Sequence, residues 1–297
     1  MDFKVELTKR TEEINRIIHE RLPKQEGLQK LILEAAAYSV NVGGKRLRPM
    51  ILLETYKLCG GKNPEECYDF CAALECIHSY SLVHDDLPAM DNDMYRRGNL
   101  TTHAKYGEDI GILAGDALLN FAYELMLNAI TKREPSAALR AGKAASVIAQ
   151  KAGVYGMVGG QTLDVYLTGK KMNAEQLDFI FRLKTGALIE AAFMAGAILA
   201  GADEKTVSEL EEAGLAVGIA FQIRDDILDI TSTQEVLGKP IHSDERNEKM
   251  TYVSLYGMEK AEDDVLQYSK KAENLIRNAG DNEFLIQLTD SLINRVK

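Results

Sequence analysis

Apolar positions recur at helical spacing along nearly the whole chain. In "VELTKRTEEINRIIHERL", Leu7, Ile14, Ile17, Ile18 and Leu22 fall on one side of a helix. "GLQKLILEAAAYSV" predicts a second helix, and "NVGG" stops it. "PMILLETYKLC" reads as a buried helix ended by Gly60 and Gly61. Pro64, of a type favoured at the first helical position, then leads "EECYDFCAALECIHSYSLVHDD". "FIFRLKTGALIEAAFMAGAILA" and "ELEEAGLAVGIAFQIRDDILDI" continue the pattern, with alanine and glycine enough for helix backbones to pack closely. No stretch alternates apolar and polar residues between hairpin signals. No short repeat or low-complexity linker divides the chain. The pattern predicts one all-α domain over residues 1–297, built from roughly ten or more helices. Residues 231–249, "TSTQEVLGKPIHSDERNEK", are the exception: turn-forming and charged, they predict a long functional loop.

Composition narrows the class. With 46% hydrophobic residues among 297, the chain can bury a substantial core. A net charge of −10 argues against a nucleic-acid partner, and any anionic ligand would need a local basic device. The four cysteines, Cys59, Cys67, Cys71 and Cys76, show no C-x-x-C pairing, and no signal-peptide pattern precedes them. Reduced, mostly buried thiols are expected. The longest apolar run, "AAFMAGAILAGA", has 12 residues. Spanning a bilayer takes roughly 20. A cytoplasmic protein without a membrane span is the expectation.

Two acidic clusters carry the chemistry. "HDDLPAMDNDMYRRGN" sets Asp85, Asp86, Asp91 and Asp93 within nine residues, followed by Arg96 and Arg97. Solvated turns often hold such runs, but a second cluster, "FQIRDDILDI", lies among apolar flanks. There Ile223, Ile227 and Ile230 form a stripe expected to face the core. Asp225 and Asp229, four apart, fall roughly opposite, with Gln222 one turn earlier. Stacked carboxylates on a buried helix are costly without a cation, and a metal is the natural partner. In the first cluster His78, Ser81 and Asp85 share a helical face, and Pro88 predicts a turn that brings Asp91 back near Asp85. Oxygen ligands alone suit Mg²⁺ rather than zinc, and Mg²⁺ is commonly completed by substrate phosphates. Cations cluster as well: Lys45, Arg46 and Arg48 in "GGKRLRP", Arg96 and Arg97 in "YRRGN", and Lys184, Lys239 and Lys249 further on. Arginine's planar fork matches phosphate oxygens. Gln161 and Asp164, in "VGGQTLD", are expected to pack close to the site.

The ordered set "GGKRLRP", "HDDLPAMDND…RRG", "GGQTLD", "KTGAL" and "FQIRDDILD" resembles the short-chain trans-prenyl diphosphate synthase family from about residue 40 to 255. Four residues between Asp86 and Asp91 make it most similar to the bacterial farnesyl diphosphate synthase subgroup. The resemblance implies the all-α isoprenoid synthase fold around a central cavity, a homodimer, and three Mg²⁺ ions in the substrate-loaded site. It implies that Asp85, Asp91 and Asp225 ligate the metal, supported by Asp86 and Asp229, with Asp226 in the same catalytic group. Lys45, Arg48, His78 and Arg97 would hold the diphosphate of isopentenyl diphosphate, with Gly44 contributing backbone. Arg96, Lys184, Lys239 and Lys249 would bind the allylic diphosphate, and Thr185 and Gln222 would line the region where the cation forms. The chemistry implied is ionisation of the allylic diphosphate, condensation with isopentenyl diphosphate, and loss of a proton to the released diphosphate. The 231–249 loop is the expected lid against water. His242 stands there where glycine is common before the loop aspartate, Asp244, and Glu248 stands where a small or neutral residue is usual.

Tyr80 and Ser81 lie five and four residues before Asp85, so roughly 6–7.5 Å deeper at the helical rise. In the family a bulky residue there is a floor under the growing tail, and tyrosine implies a farnesyl (C15) product rather than geranylgeranyl (C20). A terpene cyclase would lack the second, basic diphosphate site. A non-catalytic regulatory subunit of a synthase would have lost aspartates from one motif.

Overall fold

Local chemistry sets where the helices begin and end. Asp2 accepts hydrogen bonds from the Lys4 and Val5 N–H groups at the start of α1 (Phe3–Arg21), whose Ile14, Ile17 and Ile18 are buried. The computed structural model describes residues 2–231 and 250–293. Along them follow α2 (Lys30–Asn41), α3 (Leu47–Leu58), α4 (Glu65–Asp85), α5 (Thr102–Tyr106), α6 (Glu108–Thr131), α7 (Pro135–Ala152), α8 (Met157–Leu167), α9 (Ala174–Ile180), α10 (Ala187–Ala200) and α11 (Glu204–Thr231). Three more helices, Tyr252–Tyr256, Met258–Ala279 and Glu283–Ile293, complete the described chain. The all-α expectation is met. Lys239, Lys249, His242, Asp244, Glu248 and the lid assigned to their loop lie outside the described residues.

α10 is the central helix, packed against α3, α7 and α11. α4 lies on α6, and α11 on Met258–Ala279. One apolar cluster joins these helices, from Ile14 through Phe70, Leu118 and Phe193 to Leu288. The cysteine expectation holds: all four thiols are free, and Cys67, Cys71 and Cys76 are buried.

Four features depart from the pattern. A two-residue hairpin, β1 (Tyr95–Arg96) paired antiparallel with β2 (Asn99–Leu100), interrupts the helices. Its turn residues Arg97 and Gly98 both have positive φ (53° and 78°), as a tight hairpin of this hand requires. No alternation signals so short a ladder. Second, the helix expected through "FIFRLKTGALIE" is broken by a π-helical stretch, Phe181–Gly186, between α9 and α10. It sits at a close crossing: a Cβ on Gly218 of α11 would lie 2.6 Å from the Gly186 Cα. Third, Ile223 and Ile227 are buried as expected, but Ile230 is exposed whereas Asp226 and Asp229 are buried. The chain returns onto this end of α11 at Tyr252, whose N–H donates to Asp226 (2.7 Å), so the acidic side is taken inward.

The fourth concerns apolar length. Counted over whole helices rather than uninterrupted runs, Glu108–Thr131 and Ala174–Ala200 are long and apolar enough to cross a membrane. The latter is two-thirds buried over its most apolar window, because it contains the core helix α10. The former presents Ile112, Leu113 and Leu127 on its exposed side.

Candidate functional site

The glycine pair between α2 and α3 places the first cationic residues. Gly43 and Gly44 have φ of 97° and 148°, and a Cβ on Gly44 would come within 2.5 Å of the Arg97 guanidinium. Arg97 reaches across from the hairpin to donate to the Gly43 carbonyl. Lys45 and Arg48 flank this contact, and with Gly44, His78, Arg96 and Arg97 they line one end of a cavity of about 1170 Å3. The Arg48 Nε is buried without a hydrogen-bond partner among the described residues. Burial pulls its guanidinium down to about 10, with Glu75 opposing and Arg97 adding to the effect. Burial also holds His78 well below its ordinary range, reinforced by Arg48, Arg97, Arg96 and Arg46. The imidazole is neutral, and an anion fits this end better than another cation.

The last turn of α4 supplies the acidic wall. Asp85 lines the same cavity, and burial pushes its carboxyl up to about 6, with Lys184 pulling the other way. Past Asp86 the chain turns as expected, and the Asp91 N–H donates to the Asp85 carbonyl at 2.8 Å. Asp86 is buried and grips Arg96, whose Nε and Nη2 lie 2.7 and 2.6 Å from its Oδ1. Arg96 also reaches Asp93, at 3.6 Å.

The same cavity is bordered by α8, the π-helical stretch and α11. Gln161 of α8 donates through Nε2 to Asp85 Oδ1 (2.6 Å), while its Oε1 is buried with no partner among the described residues. Lys184 is bound by Asp164 at 2.6 Å. Burial disfavours its ammonium, but Asp164, with Asp85 and Asp91 adding, raises it. Thr185 donates to Gln222 Oε1 (3.0 Å). Asp225 completes this wall. Asp85 and Asp225 thus face one shared space.

Much of the remaining lining is apolar or weakly polar, including Tyr80, Ser81 and His84 of α4, Met157, Val158, Val165 and Tyr166 of α8, and Phe221 of α11, while Arg46 and Glu75 add a charged pair. Tyr80 is buried and meets His84 edge-on at 5.8 Å. His84 Nε2 in turn donates to the Ile112 carbonyl (3.0 Å), and Gly115 makes room for its ring.

Of the residues singled out from sequence, Gly44, Lys45, Arg48, His78, Tyr80, Ser81, Asp85, Arg96, Arg97, Lys184, Thr185 and Asp225 meet around this cavity. Asp86 and Gln222 touch it through Arg96 and Thr185. Asp91 is exposed at its rim, and Asp226 and Asp229 are buried nearby in α11 without lining it. Arg46 also borders the cavity but is more deeply buried than Lys45 and Arg48, and its guanidinium is bonded to protein groups on three sides. Sequence reasoning did not single out His84 or Glu75, although a glutamate one turn before His78 in an apolar helix was a signal.

No three histidine, cysteine or acidic side chains converge into a self-sufficient metal site among the described residues. The donors present still fit Mg²⁺. They are all oxygens, Asp85 and Asp225 border the same cavity, and the orphaned Gln161 Oε1 beside Asp85 can accept from a metal-bound water.

Residues 29–287 match the family model for polyprenyl synthetase. The chain is 43% identical over 259 residues to the farnesyl diphosphate synthase of Geobacillus stearothermophilus, covering 87% of this chain and 86% of that one. It is 42% identical over 298 residues to the geranylgeranyl diphosphate synthase of Cyanophora paradoxa, covering 97% and 95%. A geranyltransferase from Helicobacter pylori, solved in complex with magnesium and isoprenyl diphosphate, superposes with a TM-score of 0.83 at 31% identity, covering 99% of this chain and 97% of that one. An all-α fold around one large cavity, lined by both basic and acidic side chains, is that of the isoprenoid synthases. The chain belongs to the polyprenyl synthetase family, and its reaction class is prenyl transfer.

Proposed function

We propose that this protein condenses an allylic diphosphate, dimethylallyl or geranyl, with isopentenyl diphosphate to give farnesyl diphosphate, with Mg²⁺ as cofactor. The observation that carries the reading is that Asp85 of α4 and Asp225 of α11 border the same cavity as Lys45, Arg48 and Arg97. Asp85, Asp91 and Asp225 would hold Mg²⁺, which when bound supplies Lewis-acid stabilisation of the departing diphosphate. Arg96 and Lys184, and Lys239 and Lys249 from the loop, bind the same group. Asp86 and Asp164 hold the first two of these in place beforehand.

Gly44, Lys45, Arg48, Arg97 and neutral His78 receive the diphosphate of isopentenyl diphosphate. Charge separates as the allylic carbon–oxygen bond ionises, and Arg96 and Lys184, preset by Asp86 and Asp164, would stabilise the departing diphosphate without reorganising. Thr185 and Gln222, hydrogen-bonded to each other, flank the cation. Tyr80, backed by His84 and the Ile112 carbonyl, is a stiff floor, which supports a C15 product. The similarity to a geranylgeranyl diphosphate synthase over nearly the full chain supports C20 as the second reading.

The exposed apolar residues of α6 and its neighbours, Ile112, Leu113, Leu127 and Leu139, support a homodimer. With a charge of −10 and basic residues gathered at a cavity, a nucleic-acid partner is not proposed; a cytoplasmic location is.

Incubation with geranyl diphosphate, isopentenyl diphosphate and Mg²⁺, with product length and diphosphate release measured, tests the reading. A C15 product supports it. C20 moves it to the second reading, and no prenyl product with an intact fold removes it.

A further inference from the structure

Arg46 sits in the middle of the basic loop, yet none of its bonds reaches the cavity's open space. Its backbone is left-handed, with φ 50° and ψ 35°, a conformation unfavourable for a residue with a Cβ unless the surroundings hold it. They do so on three sides. Nε donates to Asn15 Oδ1 of α1 (2.8 Å), Nη1 to Glu75 Oε1 of α4 (2.6 Å), and Nη2 to the Val40 carbonyl in the last turn of α2 (2.6 Å). Its own position is the N-cap of α3. One guanidinium therefore joins four helices, and both members of the Arg46–Glu75 pair are buried.

The neighbours of this pair are the groups assigned to isopentenyl diphosphate. Gly44 and Lys45 precede Arg46, and Arg48 is two residues beyond. On α4, Glu75 is one turn before His78, on the helical face that leads through Ser81 to Asp85. Among the described residues lining the cavity, Glu75 is the acid at its basic end, where it raises the Arg48 and Arg97 guanidiniums against burial. A buried ion pair of this kind is not economical as a stabiliser, since similar apolar groups often do as well. Its directional bonds are what an apolar contact could not supply.

We infer that Arg46 and Glu75 are positioning residues: their ion pair fixes the register of the Gly43–Arg48 loop on α4, and so sets the geometry of the isopentenyl diphosphate cradle. This rests on the proposed function. Both side chains border the cavity, but the hydrogen bonds of the Arg46 guanidinium go to protein groups, so the pair acts through Lys45, Arg48 and His78.

The test uses Arg46→Lys and Glu75→Asp, which keep both charges and change only reach, so the field at the cradle is retained. The KM for isopentenyl diphosphate is expected to rise roughly tenfold or more, about the worth of one misplaced charge-assisted hydrogen bond. The KM for geranyl diphosphate should stay within about threefold, because the pair has no bond to the opposite wall. A parallel rise in both KM values, or no rise in either with the fold intact by circular dichroism, overturns the inference. Asn15→Ala, which removes one acceptor from an exposed position on α1, gives the same selective rise on a smaller scale, and it decides the matter should the buried variants fail to fold. Wild type is measured alongside. If it makes no prenyl product, the functional reading has failed; the pair is then judged by thermal stabilisation with inorganic pyrophosphate alone. Weaker stabilisation of the folded variants supports positioning of an anion cradle, and equal stabilisation overturns it.

Discussion

At the scale of single residues, burial decides which ionisable groups are tuned. Asp85 is the clearest case, with a carboxyl lifted from 3.8 to about 6 mainly by burial. Because the folded value is raised, this group by itself stabilises the empty fold on acidification. That contribution is complete below about 4 and is lost as pH rises through about 6. Mg²⁺ requires the ionised form, so metal and proton compete. We expect the rise in melting temperature caused by Mg²⁺ plus pyrophosphate to be full at pH 7.5 and to shrink markedly at pH 5.5. Equal shifts at both would remove Asp85 from the metal site. Tyr80 offers a second residue-scale test. Its side chain is pinned by His84, so Tyr80→Ala opens volume that nothing nearby is free to refill. The product spectrum, read by chromatography, should move from C15 towards C20 and beyond. An unchanged spectrum means that another residue limits the tail.

At the scale of elements, the π-helical stretch Phe181–Gly186 is the feature that carries Lys184 and Thr185 into the cavity. Such bulges are rarely stable by themselves and are held by what packs on them. Here α11 presses on Gly186 through Gly218, at a separation that leaves no space for a methyl group. Gly218→Ala should destabilise the fold by about 1–3 kcal/mol, the usual range for overpacking. Chemical unfolding measures this. Prenyl transfer by the variant, assayed well below its melting temperature, should fall at least about tenfold through displacement of Lys184 and Thr185. Full activity in the variant would show that the bulge does not depend on that crossing.

At the scale of the whole molecule, the exposed apolar side of α6 is the unbalanced surface. Ile112, Leu113 and Leu127 are 43%, 52% and 60% exposed, a set whose burial against a second copy would stabilise a dimer. Leu127→Asp places a charge in that face. We expect wild type to sediment as a dimer and the variant to shift towards monomer at micromolar concentration. A monomeric wild type with full activity would falsify the dimer proposal.

Much of this was legible in the chain itself. Helical periodicity gave the all-α class, because a 3.6-residue repeat of apolar side chains has one economical way to be buried. The two aspartate clusters and the basic loop were visible as charge that expects a partner, since local spacing shows which charges must share a helix face, and residues of all three border one cavity. What the spacing could not reveal were relations between elements far apart in sequence: Gln161 bonded to Asp85 across 76 residues, Arg97 under Gly43 across 54, and Arg46 spent on Glu75 rather than on a ligand. The π-helical stretch and the inward turn of Asp226 belong to the same class, being products of what packs against them. Local sequence fixes the period and charge of each segment, whereas only the packed molecule determines which charges are left facing the cavity and which are consumed in holding it open.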